Sequence, residues 1–410
     1  GKARAAMEVT TWGARSSQIL ELGGHLAAKG VTLAVMEATG DYWKPWFHLL
    51  RESGLEVMLV NARQARQIPG RKTDVNDCVW LADLAAHGLL RGSFVPAAPV
   101  GELKDLARER TVLTKMRGQE AQRLEKVLES AAVKLSCELT DIMGASGRAM
   151  VEALIAGERD PKRLARLARP NVKSSPDDLA EALTGRFTDH HAFMAKVHLD
   201  VVDHLSAKIA EVDARIDAYF DAAGPGAAGG SADPSERAGL AEARELLDTI
   251  PGVSEHVAEV ILAEVGPDVS AFPDAAHLAS WAGVAPGSNE SAGRVKSAKC
   301  RKGDTHLKGA LGVAALAITR CKPCYLQAFY KRVRSSRGHM KALVAVERKI
   351  IEAAWHILSK REPYKEPGAD FYAKRRPGNA ARKAVQQLKA AGYDVAIGSD
   401  GTIAAQPTPA

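Results

Sequence analysis

Two aspartates, Asp74 and Asp77, stand three apart in GRKTDVNDCVWLADL (residues 70–84), at the start of an expected amphipathic helix. That spacing puts both on one helix face, with Cβ atoms roughly 5–6 Å apart. Like charges so close repel unless a helix N-terminus offsets them or a cation lies between them. The spacing alone leaves both answers open: Asp74 as an N-cap with Asp77 in a capping-box-like role, or two ligands of one ion. Glu37 closes VTLAVME (31–37), which reads as a buried strand. A carboxylate at the C-terminal end of a parallel strand sits where α/β sheets place ligands, although a lone glutamate there usually just meets water. Three convergent carboxylates are hard oxygen donors suited to Mg2+ or Mn2+. In pairs, such ions hold the attacking and leaving oxygens of a phosphodiester.

A second candidate lies in WAGVAPGSNESAGRVKSAKCRKGDTHLKGAL (281–311), read as a polar Gly/Ser loop leading into a basic helix. Ser288, Ser291 and Ser297 lie among Arg294, Lys296, Lys299, Arg301 and Lys302. A serine so placed could attack a phosphate, because the cations stabilise the charge of the pentacoordinate transition state. No serine here has an evident general base. Lys308, Lys331, Arg332, Arg334 and Arg337 extend the basic set. Residues 291–360 hold sixteen Lys/Arg against three Asp/Glu, a charge of +13 in a chain whose net charge is +7, so the remainder carries −6. So local an excess points to a polyanion, most simply nucleic acid. LLDTIPGVSEHVAEVILAEVG (246–266) has the form of helix, Pro–Gly turn and helix, which could offer backbone N–H groups to a phosphate or be a plain αα-hairpin.

The elements that must hold these residues are legible in outline. A chain of 410 residues with 46% apolar and 26% charged residues has a globular composition and suggests two or three domains. No apolar run approaches the roughly 20 residues of a membrane span, and no secretory signal is visible. The five scattered cysteines form no disulfide framework and fit a reducing cytosol. Cys321 and Cys324 form a CxxC without a second pair, better read as a helix start than as a zinc or redox site. Helix 17–29, strand 31–37, a helix to about Ser53 and strand 55–61 alternate as in a parallel α/β sheet. From Gly101 to about Val133 a charged helix with an apolar stripe suggests a coiled-coil arm, and a second long helix is expected from Pro176 to Ala222. Its His190, His191, His198 and His204 are expected to face solvent or the neighbouring helix. GPGAAGGSADPSERA (224–238) reads as a linker, and a helical domain follows to about Tyr364. The tail is expected to hold a basic helix and a strand-like GYDVAI (392–397), with the last dozen residues disordered.

Taken in order, EATG with its following aromatic and Pro, GRKTDVND, IPGV, WAGVAP, the ES loop, PGADFY and the GYDVAI-like ending resemble the DEDD transposases of the IS110 class of insertion sequences, a class that also includes the Piv-type DNA invertases. The resemblance implies an α/β plus α architecture. An RNase-H/RuvC-like domain would occupy 1–98, a coiled-coil helical region 99–223, the linker 224–238, an all-helical transposase domain 239–364 and a C-terminal tail 365–410. It also implies a recombinase acting on donor and target DNA, directed by a bridge RNA, working as a dimer or tetramer in the prokaryotic cytoplasm at the nucleoid, with no membrane partner. By position, Ser291 becomes the nucleophile and Glu37, Asp74 and Asp77 the ligands of Mg2+ (or Mn2+). The resemblance thus favours metal ligation over capping for the aspartate pair. The family's first aspartate lies several dozen residues before the glutamate; this chain begins too late to contain it, and a further strand upstream is expected. SAG after Glu290, where relatives often have SG, is a second departure. The competing readings are a metal-dependent junction resolvase of the RuvC type, a protein-directed invertase, and a non-catalytic DNA-binding protein. No GxxxxGK[ST] loop is present to suggest ATP use.

Overall fold

The computed structural model describes residues 8–61, 74–96, 98–221, 234–287, 289–375, 377–397 and 403–407. The chain divides into two compact units, Gly1–Pro96 and Ala97–Ala410.

In the first unit, α1 (Ser16–Ala28), β1 (Leu33–Glu37), α2 (Trp43–Glu52), β2 (Glu56–Val60) and α3 (Asp74–Ala86) follow in order. β1 and β2 are parallel, with Leu33 opposite Glu56 and Glu37 opposite Val60. A parallel pair needs a crossover, and α2 supplies it. Its apolar positions Phe47 and Leu50 are buried, and Leu50 joins Ile19 and Leu55 in the core under the sheet. Val60 adds one antiparallel bridge to Gly92. Among the described residues the expected parallel α/β pattern is present as two strands. β1 is half-buried at all five positions rather than buried, because two strands cannot screen each other as the centre of a wide sheet would.

The second unit begins with α4 (Ala98–Ser130), which packs against α9 (Asp189–Phe220). The pair is antiparallel: Arg110 meets Asp213 and Glu120 meets His198. At its far end α5 (Leu135–Glu138), α6 (Ala145–Ile155), α7 (Pro161–Ala165) and α8 (Pro176–Ala182) close a core around Leu124, Leu128, Met150 and Leu199. The single helix expected over 176–222 is therefore two. Between them Lys134 N–H donates to Ala182 O at 2.7 Å and Arg186 N–H to Ala131 O at 2.7 Å. A Cβ on Gly185 would stand 2.5 Å from Ala131 O. These close backbone contacts pin the break to the end of α4. The new start is secured by His191, whose Nδ1 accepts from Thr188 N–H at 3.3 Å. His198 is interhelical, as expected, with Nδ1 3.0 Å from Glu120 Oε2.

Downstream come α10 (Pro234–Asp248), α11 (Glu255–Val265), α12 (Ala275–Trp281), a hairpin of β3 (Asn289–Ser291) and β4 (Arg294–Ser297), then α13 (Thr305–Ile318), α14 (Tyr325–Arg337) and α15 (His339–Lys360). α11 is buried at every position from Val257 to Val265, glutamates included. A helix hidden on all sides must be apolar or have its charges paired. Both buried glutamates are paired, largely from α4: Glu264 takes Arg108 Nε at 2.7 Å and Lys104 Nζ at 2.9 Å, and Glu259 takes Arg110 NH1 at 2.8 Å. α4 thus anchors the helical core as well as forming the arm. The segment after the hairpin was expected to be a basic helix; α13 is apolar, packed against α11 and α15, because GALGVAALAI supplies its buried faces and Lys308 is its sole cation.

The tail carries α16 (Phe371–Arg375), α17 (Pro377–Ala390), β5 (Tyr393–Ile397) and β6 (Ile403–Pro407). β6 pairs antiparallel with β5, so part of the segment expected to be disordered is a strand. PGADFY docks on the start of α14. Glu366 Oε1 accepts from Tyr325 N–H at 2.7 Å and Gly368 N–H at 2.8 Å, and the Tyr372 hydroxyl donates to that of Tyr325 at 3.2 Å. Cys324 caps α14 by accepting from Gln327 N–H at 3.4 Å, in keeping with the helix-start reading of the CxxC. The pKa of the half-buried Cys321 thiol is pushed up to about 11 by desolvation and by the neighbouring Cys324 thiol. Among the described residues no helix is long and apolar enough to cross a membrane.

Candidate functional site

In the α/β unit Glu37 ends β1 as expected, half-buried, with Thr39 Oγ1 donating to its Oε1 at 3.3 Å. The turn that follows rises through Gly40 (φ 54°) before α2 begins. α3 packs against β1, so the aspartate helix and the glutamate strand are neighbours. Asp77 is half-buried one turn into α3. Asp74 is the helix's first residue, and its side chain lies outside the described residues. Among the described residues no group of three His, Cys, Asp or Glu is arranged to hold a metal ion. The donor set that remains, two carboxylates at neighbouring elements, matches the oxygen chemistry of Mg2+ or Mn2+ in type. A third ligand would have to be Asp74.

The second site is built by a hairpin that local sequence reading took for a loop. Ser291 pairs with Arg294 across a two-residue turn. Both turn residues are left-handed, Ala292 at φ 51° and Gly293 at φ 73°, as a type I′ connection requires. Glycine enters this region freely, while an alanine there is strained by about 1 kcal/mol or more. The departure SAG therefore places a strained residue directly after the candidate serine. Ser291 is exposed, and among the described residues nothing hydrogen-bonds its hydroxyl. Ser297 is instead used locally, accepting from Lys299 N–H at 3.2 Å. Ser288 lies outside the described residues.

The base of the hairpin is clamped to the core. Gly283 (φ 74°) and Gly303 lie backbone against backbone: a Cβ on Gly303 would stand 2.3 Å from Gly283 N. Lys308 Nζ donates to Gly283 O at 3.3 Å. Asp304 caps α13, accepting from the N–H groups of His306 and Leu307 at 2.9 and 2.8 Å. Its second oxygen accepts from Arg108 at 2.9 Å. WAGVAP and KGD are thus the two ends of one clamp.

The ten cations expected to meet nucleic acid divide in two. Lys308 serves the clamp, Lys331 donates to Gln327 Oε1 at 3.0 Å, and Arg332 lies 4.5 Å over the ring of Tyr372. Arg294, Lys296, Lys299, Arg301, Lys302, Arg334 and Arg337 are exposed and have no carboxylate partner among the described residues. The three acids of the basic block do nothing to neutralise that face. Asp304 is a cap, Glu352 is held by Arg348 and Lys349 at 2.7 Å each, and Glu347 is 6% exposed. The Glu347 Oε2 has no hydrogen-bond partner among the described residues, and burial raises its pKa against the opposing pull of Lys308. The Pro–Gly turn before α11 is used for packing. Gly252 needs φ 84°, and a Cβ there would meet Ala314 O at 2.8 Å, while Glu255 puts a negative charge in the first turn where a phosphate would sit. Sequence reading did not single out Lys341, Arg348 and Lys349, which continue the basic face on α15.

The α/β unit ends a strand in a carboxylate, and the helical unit presents an exposed serine flanked by cations. The family model described as a DEDD transposase of IS110 type matches residues 6–132, and that described as "Transposase IS116/IS110/IS902 family" matches residues 244–331. The chain belongs to the IS110/IS116/IS902 family of DEDD transposases. It is similar to the insertion element IS110 uncharacterized 43.6 kDa protein of Streptomyces coelicolor, at 35% identity over 28% of each chain. It is also similar to the pilin gene-inverting protein of Moraxella bovis, at 29% identity over 29% of this chain and 38% of that one. Similarity to the insertion element IS900 uncharacterized 42 kDa protein of Mycobacterium paratuberculosis is weaker but longer, at 24% identity over 77% of this chain and 80% of that one. The chain therefore spans well under half the length of the first two relatives and most of the third.

Proposed function

We propose that this protein is the recombinase of an insertion sequence, cutting and rejoining donor and target DNA through Ser291. The observation that carries the reading is Ser291 itself: exposed, without an intramolecular partner among the described residues, at the tip of a strained hairpin whose own Arg294 and Lys296 have no carboxylate partner among those residues. Its Oγ attacks a backbone phosphorus, forming a Ser–O–P bond and breaking the bond to a deoxyribose oxygen. That oxygen leaves with the proton the serine gives up. Attack by a second strand's hydroxyl on the phosphoserine reverses the bookkeeping, restores the serine and needs no nucleoside triphosphate. Arg294 and Lys296, on the hairpin, offset the charge that builds on the phosphoryl oxygens.

Glu37, Asp74 and Asp77 are the residues that would hold Mg2+ (or Mn2+), which would supply Lewis-acid stabilisation to a bound phosphate. The basic face beyond the hairpin suits a structured RNA as well as DNA, and a bridge RNA is the guide we assign to it. We further assign a dimer or tetramer as the working form. The test is formation of an SDS-resistant protein–DNA complex: Ser291→Ala is expected to abolish it while leaving DNA binding intact, and a complex formed by the variant would remove the serine from its role. Sequencing the nucleic acid that co-purifies tests the guide: a discrete RNA supports it, and heterogeneous fragments oppose it. A protein-directed DNA inversion is the second reading, favoured by the similarity to the Moraxella bovis protein.

A further inference from the structure

One feature of the helical unit takes no part in the chemistry above. An open groove of about 920 Å3 runs between α14, α15 and the strap that leaves the hairpin. Its apolar lining comes from Val284 and Pro286 before the hairpin, Phe329 on α14, and Met340 and Val344 on α15. Met340 is 69% exposed, an unusual place for a flexible apolar side chain unless something covers it. Phe329 also belongs to a stack: its ring lies 6.4 Å from that of Tyr325 and 6.5 Å from that of Tyr372, with planes within 17° and 24°.

The rim is cationic. Lys299, Arg337 and Lys341 border the groove and have no carboxylate partner among the described residues. Arg348 and Lys349 border it too, sharing Glu352, the one acid of the lining. Despite burial, which pushes the Glu352 pKa up, hydrogen bonds from those two cations hold it below the usual carboxylate value. The lining thus carries five cations against one anion, around an apolar floor with an aromatic ring. A protein segment with an acidic–apolar pattern would satisfy the charge but has no use for a stacking ring. A base with its phosphate uses all three features at once, and pockets of about 300–1,000 Å3 take ligands of that size.

We propose that this groove binds one or two unstacked nucleotides of single-stranded DNA, on the strand that Ser291 attacks. Its position argues for that strand. After the hairpin the groove wall resumes at Ala298, one residue beyond β4, and Ser291 pairs with Arg294 at the other end of that strand. At the rise of an extended strand, the three residue steps from Arg294 to Ser297 span roughly 10 Å, about three phosphate steps of a stacked strand. A strand whose phosphate lies at Ser291 can therefore drop a nearby base into the groove. The inference rests on Ser291 as the reacting residue, and its consequence is that the DNA is unpaired close to the cut.

The experiment uses the full chain carrying Ser291→Ala, so that no chemistry intervenes. A single-stranded DNA oligonucleotide with 5-bromodeoxyuridine at successive positions is photo-crosslinked and the attachment mapped by mass spectrometry. Crosslinks to Phe329 or Met340 are expected from one or two adjacent positions. Met340→Glu, on an exposed side chain, is expected to weaken single-stranded binding about tenfold and to leave duplex binding within twofold. Crosslinks confined to other residues, or equal loss on single and double strands, would overturn the proposal. So would a change of oligomeric state with Met340→Glu, which would assign the groove to a second copy of the chain. A serine adduct in the wild-type protein together with crosslinks elsewhere would remove the groove and keep the nucleophile. Crosslinks in the groove without any adduct would do the reverse.

Discussion

Carboxylates meet opposite fates in the two units. In the helical unit four acids are consumed by packing: Glu264 by Arg108 and Lys104, Glu259 by Arg110, Asp304 by the start of α13, Glu352 by Arg348 and Lys349, while Glu290, beside the candidate serine, stays exposed. The cations of the hairpin and of the end of α14 are left without such partners among the described residues. In the α/β unit, Glu37 at the strand end has a threonine hydroxyl as its hydrogen-bond donor, and a helix opening with Asp74 and Asp77 packs on the same strand. One region has spent its negative charge on structure and faces outward as a polyanion site. The other places Glu37 at a strand end beside the helix that opens with Asp74 and Asp77. A residue's type is therefore a weaker guide to function than whether its neighbours have already satisfied it.

Substitutions can break that contrast, and the largest effect is expected in the α/β unit. Asp77→Asn or Glu37→Gln should lower Mg2+-dependent strand cleavage by about a hundredfold or more, the usual cost of losing one charge-stabilising group, with thermal unfolding little changed. Cleavage at the wild-type rate would return both residues to structural roles. In the helical unit the same kind of change should act on stability. Arg108→Ala strips the nearly buried Glu264 of its bidentate partner and should cost about 3 kcal/mol, since a buried charge is left with Lys104 alone. Chemical denaturation reads this, and a loss below about 1 kcal/mol would mean that Glu264 is hydrated after all.

Glu347 sharpens the comparison, being an acid of the basic block with an oxygen unpartnered among the described residues. Burial raises its folded pKa above the ordinary 4.5, so between 4.5 and the raised value the native state holds the proton more tightly than the unfolded chain. Stability should fall as pH rises through that window. Glu347→Gln should flatten that fall and stabilise the protein at neutral pH, as unfolding followed across pH would show; an unchanged slope would place a partner on its free oxygen. The smallest effect belongs to the turn. Ala292→Gly removes the strain of φ 51° but adds freedom to the unfolded chain, so the net change in stability should stay within about 1 kcal/mol. A larger loss would show that the turn depends on the alanine side chain.

Much of the fold was legible because it is periodic. The βαβ unit, the two long helices and the helical hairpin around Pro251 all carry patterns that burial repeats. The split between α8 and α9 was not legible, because it follows from Gly185 lying against the backbone at the end of α4, a contact made 54 residues away along the chain. The hairpin escaped notice since β3 and β4 are three and four residues long and polar, with no alternation to read. The lysines and arginines flanking α13 suggest a basic helix, whereas its own residues are mostly apolar. Within the site, Glu37 and the start of α3 were read correctly as elements. That three of the ten expected cations are occupied elsewhere could emerge only from packing, as could a groove lined from three separate stretches of chain.

The most direct test of the account is the chemical identity of the protein–DNA bond. Wild-type protein, incubated with Mg2+, its co-purified nucleic acid and DNA carrying the ends of its element, would be denatured, digested with protease and nuclease, and analysed by mass spectrometry. A nucleotide joined through phosphate to Ser291 is expected, lost when Mg2+ is chelated before mixing. A nucleotide on any other residue, or cleaved DNA with only free ends, would contradict it.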